Sequence, residues 1–355
     1  MTRDFSQFLP LATPPKRERS LLERLGWTPF FSQQIDPEAL INTPPVRVTA
    51  VHRSGLHVMG NGIDTMIPPG PNATVGDWLL YDAALPANSE VLERKSLIER
   101  RAAGHDRRKQ KIAANLDTAF LVSSCNDDFN VARLERYIAL TFEAGVQPVI
   151  ILTKPDLCDD TTPYVEQASA ISDRVPVEVL DALAGDVTGR LAQWCRPGQT
   201  VGFLGSSGVG KSTLVNALFN AQVAETQGIR EDDSRGRHTT THRQLHLTPE
   251  GCAVLDTPGM REIQLTDTES GIAEVFDDLS ELALRCRFRD CRHESEPGCA
   301  VQAALASGEI DKVRLERWKK LGTEDRSNTK ALHERKSEGK ALRKQIKAAL
   351  KSKRE

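Results

Sequence analysis

Apolar positions along the chain follow two rhythms. From Val46 to about Leu97 they fall in short runs broken by glycine and turn residues: Val46 to Val51, Gly55 to Met59, Thr65 to Pro68, Val75 to Tyr81 and Ser89 to Arg94. Five such runs in roughly fifty residues predict a small β-barrel. After residue 112 the rhythm lengthens. Ala119 to Ser123, Gln147 to Leu152, Val175 to Leu180, Thr200 to Leu204, Arg243 to Leu247 and Ala253 to Leu255 read as strands. Val131 to Ala144, with Leu134, Ile138 and Phe142 on one face, reads as a helix, as do Pro163 to Ser172 and Leu214 to Phe219. Strand and helix in alternation predict an α/β domain with a doubly wound, mostly parallel sheet. Beyond Ser270 the chain turns helical, through Ser270 to Arg285 and again from Glu309 to the end, where Leu315, Trp318 and Leu321 share a face.

Boundaries follow from these changes. Residues 1–45 form an extension holding one short helix, Leu21 to Trp27, before the break at Pro44-Pro45. The barrel spans 46–97, a basic linker 98–111, the α/β domain 112–269, a helical metal-binding module 270–325, and a basic helix or tail 326–355.

Charge alters the picture more than composition does. The 355 residues carry a formal net charge of −2, yet sixteen basic residues face six acidic ones from Lys312 to Glu355. A second basic run, with Arg94, Lys95, Arg100, Arg101, Arg107, Arg108, Lys109 and Lys111, precedes the α/β domain. Basic segments on a near-neutral protein imply a polyanion partner. A barrel of the OB type commonly carries single-stranded nucleic acid, though aromatic residues for stacking are sparse here, and a barrel that only packs against the α/β domain is the alternative. No apolar segment resembles a signal peptide or approaches membrane-spanning length, so the expected compartment is the cytoplasm, with no membrane partner. Seven cysteines in that setting argue against a disulfide scaffold.

The chemistry concentrates in one stretch. Gly205-Ser206-Ser207-Gly208-Val209-Gly210-Lys211-Ser212-Thr213 stands between an apolar strand and a helix and fits the phosphate-loop pattern G-x-x-x-x-G-K-[ST]. Glycines let backbone N–H groups converge on phosphate oxygens, and the helix N-terminus adds its dipole. Lys211 supplies charge to the β- and γ-phosphates, and the Ser212 hydroxyl is placed to ligate Mg²⁺. A second cluster, Cys286, Cys291, His293 and Cys299, has the form C-x₄-C-x-H-x₅-C. Three thiolates and an imidazole make a closed tetrahedral zinc site, one ion per chain, structural because no ligand position stays open.

Two further stretches choose the base. Thr153-Lys154-Pro155-Asp156 follows an apolar run and resembles the [NT]-K-x-D signature of translation-factor-type GTPases. The Asp156 carboxylate can accept from N1–H and N2–H₂ of guanine together, while adenine would leave it unpaired. Lys154 would lay its stem over the base. Asp256-Thr257-Pro258-Gly259 resembles the D-x-x-G switch, whose Asp holds Mg²⁺ and whose Gly contacts the γ-phosphate. In an ordinary GTPase the phosphate loop comes first. Here Asp156 precedes Lys211 and Asp256 comes last, so the chain resembles a circularly permuted GTPase.

That order, with Gly236-Arg237-His238-Thr239-Thr240-Thr241 between loop and switch and the Val75-Gly76-Asp77-Trp78 strand in the barrel, resembles the ribosome small-subunit biogenesis GTPases of the RsgA (YjeQ) family. The resemblance implies a GTPase that binds GTP and GDP and times late assembly of the 30S subunit, as a monomer contacting 16S rRNA. A GTP-sensing RNA-binding protein without useful turnover is the alternative, and a metabolic nucleotide kinase is set aside because Asp156 selects guanine. The Asp181-Ala182-Leu183 stretch resembles the S-A-[KL] loop, whose Ala N–H contacts guanine O6. Asp181 departs from the usual Ser, and Thr153 from the usual Asn. Met260 occupies the position where small GTPases carry the water-orienting Gln. His238 is the nearest group able to orient that water, and the resemblance implies the same role. One of Thr239, Thr240 and Thr241 is expected to ligate Mg²⁺, with Thr240 chosen, and Arg237 and Arg261 are candidates for transition-state charge.

Overall fold

A computed structural model describes residues 19–101, 109–221, 243–256 and 267–329. Thirteen strands among them are β1 (Pro45–His52), β2 (Gly55–Gly60), β3 (Ile63–Ile67), β4 (Trp78–Leu80), β5 (Glu90–Val91), β6 (Leu97–Arg101), β7 (Lys109–Ala114), β8 (Thr118–Ser124), β9 (Gln147–Thr153), β10 (Val177–Leu180), β11 (Thr200–Gly205), β12 (Arg243–Leu247) and β13 (Ala253–Asp256).

The α/β part is a sheet in the order β10-β9-β8-β11-β13-β12, parallel except for the β13–β12 pair. The central strands β8, β9, β11 and β13 are largely apolar because both faces are covered, while the flanking β10 and β12 carry polar residues. Alternation divides each strand between two cores. Ala119 and Leu121 join one core with Ile150, Leu152 and Leu204, beneath Leu134 and Ile138 of the Val131–Glu143 helix. Phe120 and Val122 join the other with Val149, Ile151, Val201 and Phe203, beneath Leu214, Val215 and Leu218 of the Lys211–Phe219 helix.

The five N-terminal strands pair antiparallel in the order β3-β2-β1-β4-β5, around Val46, Val48, Leu56, Val58, Ile67 and Leu79. No pairing between β3 and β5 closes this sheet into a barrel among the described residues. Instead β1 pairs with β12 through Ala50–Gln244 and Val51–Arg243, so the two parts share one eleven-stranded sheet. Gly76 permits a close approach: its φ is 89°, and a Cβ there would lie 2.1 Å from the Ala114 carbonyl oxygen. Asp77 accepts from the Thr74 N–H and holds Arg94 at 2.7 and 2.9 Å.

The described ends of the segment expected to be a basic linker, residues 98–101 and 109–111, lie in strands: β6 and β7 pair antiparallel, with Ile98 and Ile112 buried. Apolar residues at those two positions anchor the pair, and the surrounding charge had masked them. The extension also carries more order than its sequence pattern suggests. Trp27, Phe31 and Trp78 cluster, and the fully buried Arg47 guanidinium donates to the Leu25, Gly76 and Asn115 carbonyls and to the Thr200 hydroxyl. One arginine thereby ties the extension, β1 and the start of β11. Burial lowers its pKa to about 10, with Asp117 and Asp77 opposing the shift, so it stays charged at neutral pH.

At the C-terminal end the segment expected to be helical, Ser270 to Arg285, holds two helices, Glu269–Val275 and Asp277–Leu284, that meet at Phe276. Ala300–Ser307 and residues 312–329 complete the module.

Candidate nucleotide site and metal cluster

The strands that carry the three signatures, β9, β11 and β13, are parallel, so their carboxyl ends share one edge of the sheet, where α/β folds bind ligands. At the centre, β11 ends in Gly205 (φ 152°), whose Cβ, if present, would lie 2.3 Å from the Val122 carbonyl oxygen. The loop then turns through Gly208 and Gly210, both at positive φ, and Gly210 opens the Lys211–Phe219 helix as its N-cap. Val209 is buried and roots the loop, while Ser207 and Gly208 are exposed and Ser206, Ser212 and Thr213 half-buried. Lys211 Nζ donates to the Gly205 carbonyl at 2.9 Å and to the Ser206 carbonyl, which holds the ammonium across the loop's mouth.

Thr153, at the end of β9, is fully buried. Its hydroxyl lies 2.6 Å from the Val209 carbonyl and 3.2 Å from that of Ser123. One hydroxyl proton serves one of these at a time, and the shorter contact ties the guanine signature to the phosphate loop. The amide of an Asn is thus replaced in that linking role by a hydroxyl. Lys154 follows in the left-handed region (φ 56°), and the Pro155–Leu157 turn presents Asp156 to solvent. Across the edge, Asp181 Oδ1 accepts from the Leu183 and Ala184 N–H groups at 2.9 and 3.2 Å. The departure from Ser therefore keeps a side-chain oxygen that can cap this turn. A cleft lined by Ala182, Leu183, Thr213 and Asn216 opens between the turn and the Lys211–Phe219 helix.

The backbone of Asp256 ends β13, one residue beyond the Gly202–Leu255 pair with β11. Arg237, His238, Thr239, Thr240, Thr241, Gly259, Met260 and Arg261 lie outside the described residues.

Sequence reasoning missed a basic residue at this edge. Arg133, in the first turn of the Val131–Glu143 helix, places Nη1 2.5 Å from Ser206 Oγ and 3.1 Å from Asp128 Oδ1. Nothing in the local pattern marks it, because the contact joins residues far apart in the chain.

The second cluster forms as expected. The ligand atoms of Cys286, Cys291, His293 and Cys299 all lie within 4.8 Å of one another. Cys286 Sγ and Cys299 Sγ are 3.8 Å apart, and His293 Nδ1 is 3.5 Å from each. All three cysteines are free thiols. Burial, reinforced by the Lys319 ammonium, lowers the His293 pKa and keeps the ring neutral, as a metal ligand must be. The His293 carbonyl accepts from Gln302 and Lys319, which fixes the ring's position beside Trp318. The group could hold a metal ion.

A phosphate loop after β11, joined through Thr153 to a guanine signature that comes earlier in the chain, defines a circularly permuted GTPase. Comparison with known proteins narrows the class. The RsgA GTPase family model matches residues 91–266. An ABC transporter model also matches, over residues 190–353, a span that contains the phosphate loop but not the Thr153–Asp156 signature. The small ribosomal subunit biogenesis GTPase RsgA 2 of Vibrio parahaemolyticus is 46% identical over 336 residues, covering 94% of each chain. The small ribosomal subunit biogenesis GTPase RsgA of Mesorhizobium japonicum is 46% identical over 329 residues, covering 90% of this chain and 94% of its own. The chain belongs to the RsgA GTPase family. Its fold is similar to the crystal structure of YjeQ from Thermotoga maritima (TM-score 0.56, 24% identity, 78% of this chain and 96% of that one). It is likewise similar to YloQ, described as a circularly permuted GTPase (TM-score 0.56, 22% identity, 81% and 96%).

Proposed function

We propose that the protein hydrolyses GTP to GDP and phosphate and acts in biogenesis of the small ribosomal subunit, as the names of its relatives state for them. The observation that carries the reading is the Thr153–Val209 bond, which draws a guanine-selective turn to a phosphate loop. Asp156 is the base-reading carboxylate, Lys154 packs on the base, and the Ala182 N–H meets guanine O6. The Gly205 to Thr213 amides and Lys211 hold the phosphates. Ser212, Asp256 and Thr240 would hold Mg²⁺, which when bound neutralises charge on the β- and γ-phosphates. Gly259 contacts the γ-phosphate and His238 orients the attacking water.

Zinc suits the Cys286, Cys291, His293 and Cys299 cluster. A tetrahedral ion with Zn–S near 2.3 Å and Zn–N near 2.0–2.1 Å sets neighbouring sulfurs about 3.8 Å apart and S–N pairs about 3.5 Å apart, which supports the assignment. We further infer a cytoplasmic monomer whose barrel and basic C-terminal residues contact 16S rRNA on the 30S subunit. The test is GTP turnover with and without purified small and large subunits. Stimulation by small subunits alone is the expected result. Nucleotide binding without turnover in either condition would favour the GTP-sensing alternative, and absence of guanine nucleotide binding would overturn the reading.

A further inference from the structure

The phosphate loop is braced from behind by a helix that the C-terminal module grips. Arg133 Nη1 donates to Ser206 Oγ at 2.5 Å, and Asp128 steadies the same nitrogen through its carboxylate and its carbonyl, at 3.1 and 3.3 Å. On its other side Ser206 accepts Lys211 Nζ through its backbone carbonyl. Ser206 is thus clamped between a guanidinium behind the loop and the ammonium in front of it.

The helix that aims Arg133 is fixed along its length. Asn130 caps its start by accepting the Arg133 N–H. Glu135 meets Arg317 at 2.8 and 3.0 Å, Arg136 meets Glu324 at 2.5 Å, and Glu143 accepts Ser270 Oγ and the Gly271 N–H at 2.6 and 3.0 Å. The helices touch so closely that a Cβ on Gly271 would lie 2.0 Å from the Ala139 carbonyl oxygen. Four anchors on one rigid element set where its first turn presents a charge.

We propose that Arg133 is a positioning residue for GTP turnover. By holding Ser206 it fixes the peptide carbonyls that aim Lys211 at the β- and γ-phosphates. The proposal rests on the GTPase reading above. It requires no contact between Arg133 and nucleotide. A charged hydrogen bond to the loop's second residue restrains the peptide whose rotation would carry Lys211 off line, and small misplacements of such groups reduce rates steeply.

The test compares Arg133→Met, Ser206→Ala, their double variant and Arg133→Lys in the full chain. Steady-state turnover is read with release of fluorescent GDP and of a fluorescent non-hydrolysable GTP analogue. Each single variant should lower kcat about tenfold and speed release of the triphosphate, with thermal unfolding close to wild type. The double variant should be no worse than the poorer single, because both remove one clamp. Arg133→Lys, which keeps the charge and a donor, should recover part of the loss. Multiplicative losses in the double variant would show independent structural damage and overturn the proposal. Triphosphate release unchanged in Arg133→Met would also overturn it. A wild type that binds both nucleotides without turnover sinks the hydrolysis reading, while faster triphosphate release from Arg133→Met would still support the clamp.

Discussion

Arg317→Met should loosen the helix at 312–329 in a pH-dependent way. The Glu135 carboxylate is fully buried, and Arg317 Nε lies 2.8 and 3.0 Å from its two oxygens. Burial raises the Glu135 pKa above its ordinary 4.5, with Arg317 opposing the shift. Removing Arg317 removes the hydrogen-bonded partner and leaves only the weaker pull of the more distant Arg314, and a buried carboxylate without its partner costs about 3–5 kcal/mol. The carboxylate can escape by taking a proton. That costs about 1.4 kcal/mol for each unit between the solution pH and the unfolded pKa, about 4 kcal/mol at pH 7.5 and about 1.4 at pH 5.5. The sign follows from linkage. A carboxyl whose folded pKa is raised contributes fully below its unfolded pKa, and the contribution falls as pH rises through the folded value. The variant should therefore lose about 3–4 kcal/mol of helix docking at pH 7.5 but only about half as much at pH 5.5. Hydrogen exchange of the amides in residues 312–329, corrected for intrinsic exchange at each pH, reads the opening free energy directly. Replacing both partners by apolar residues of similar size should bring protection back to within about 1 kcal/mol of wild type. Equal loss at both pH values, or a loss under about 1 kcal/mol at pH 7.5, would refute the reasoning.

Asp156→Asn should weaken guanine nucleotide binding by on the order of 2–3 kcal/mol and admit other bases, and unchanged GTP affinity in an equilibrium titration would remove its base-reading role. About one zinc per chain should copurify, and Cys291→Ser should lose the metal and hydrogen-exchange protection in residues 286–307. Elemental analysis finding no zinc in the wild type would count against that assignment. His238→Ala should keep nucleotide and subunit binding yet lose roughly 10²-fold of the subunit-stimulated rate. Single-turnover hydrolysis equal to wild type at saturating subunits would instead point to a group supplied in trans.

Local signals were legible wherever one segment carries both pattern and chemistry. β8, β9, β11 and β13 are apolar runs between turns, and each was placed within a residue or two. The phosphate loop and the metal cluster are short in sequence, so their spacing could be read directly. What stayed hidden depends on partners distant in the chain. Arg47, Arg133 and Arg317 look like surface cations in sequence, yet each ends on a carbonyl, hydroxyl or carboxylate from another segment. Charge segregation misled in a related way. Arg314, Arg317 and Lys319 belong to the Lys312–Glu355 stretch whose charge implied a polyanion partner, but they turn inward to Asp278, Glu135 and the His293 carbonyl. The polyanion argument therefore rests on the remaining cations, not on the whole sixteen.

The permutation has a mechanical consequence that the sheet order makes explicit. In the ordinary connection the chain would begin at β11 and finish at the edge strand β10. Here the α/β sheet is entered at β8 and left after β13, and both strands are hydrogen-bonded to β11, the strand that feeds the phosphate loop. The N-terminal strands and the β6–β7 pair connect through β7 into β8, and the metal-binding module continues from β13. Each added module is thus joined covalently beside the central strand rather than at the margin. Each is also joined a second time without a covalent link. β1 pairs with β12, and the C-terminal helices grip the Val131–Glu143 helix, whose first turn braces Ser206. A force on either module reaches the phosphate loop by two routes that close on the same strand. Close-packed interiors transmit such displacements rather than absorb them. A GTPase wired in this way can make nucleotide turnover answer to what its flanking modules hold, without a separate regulatory domain.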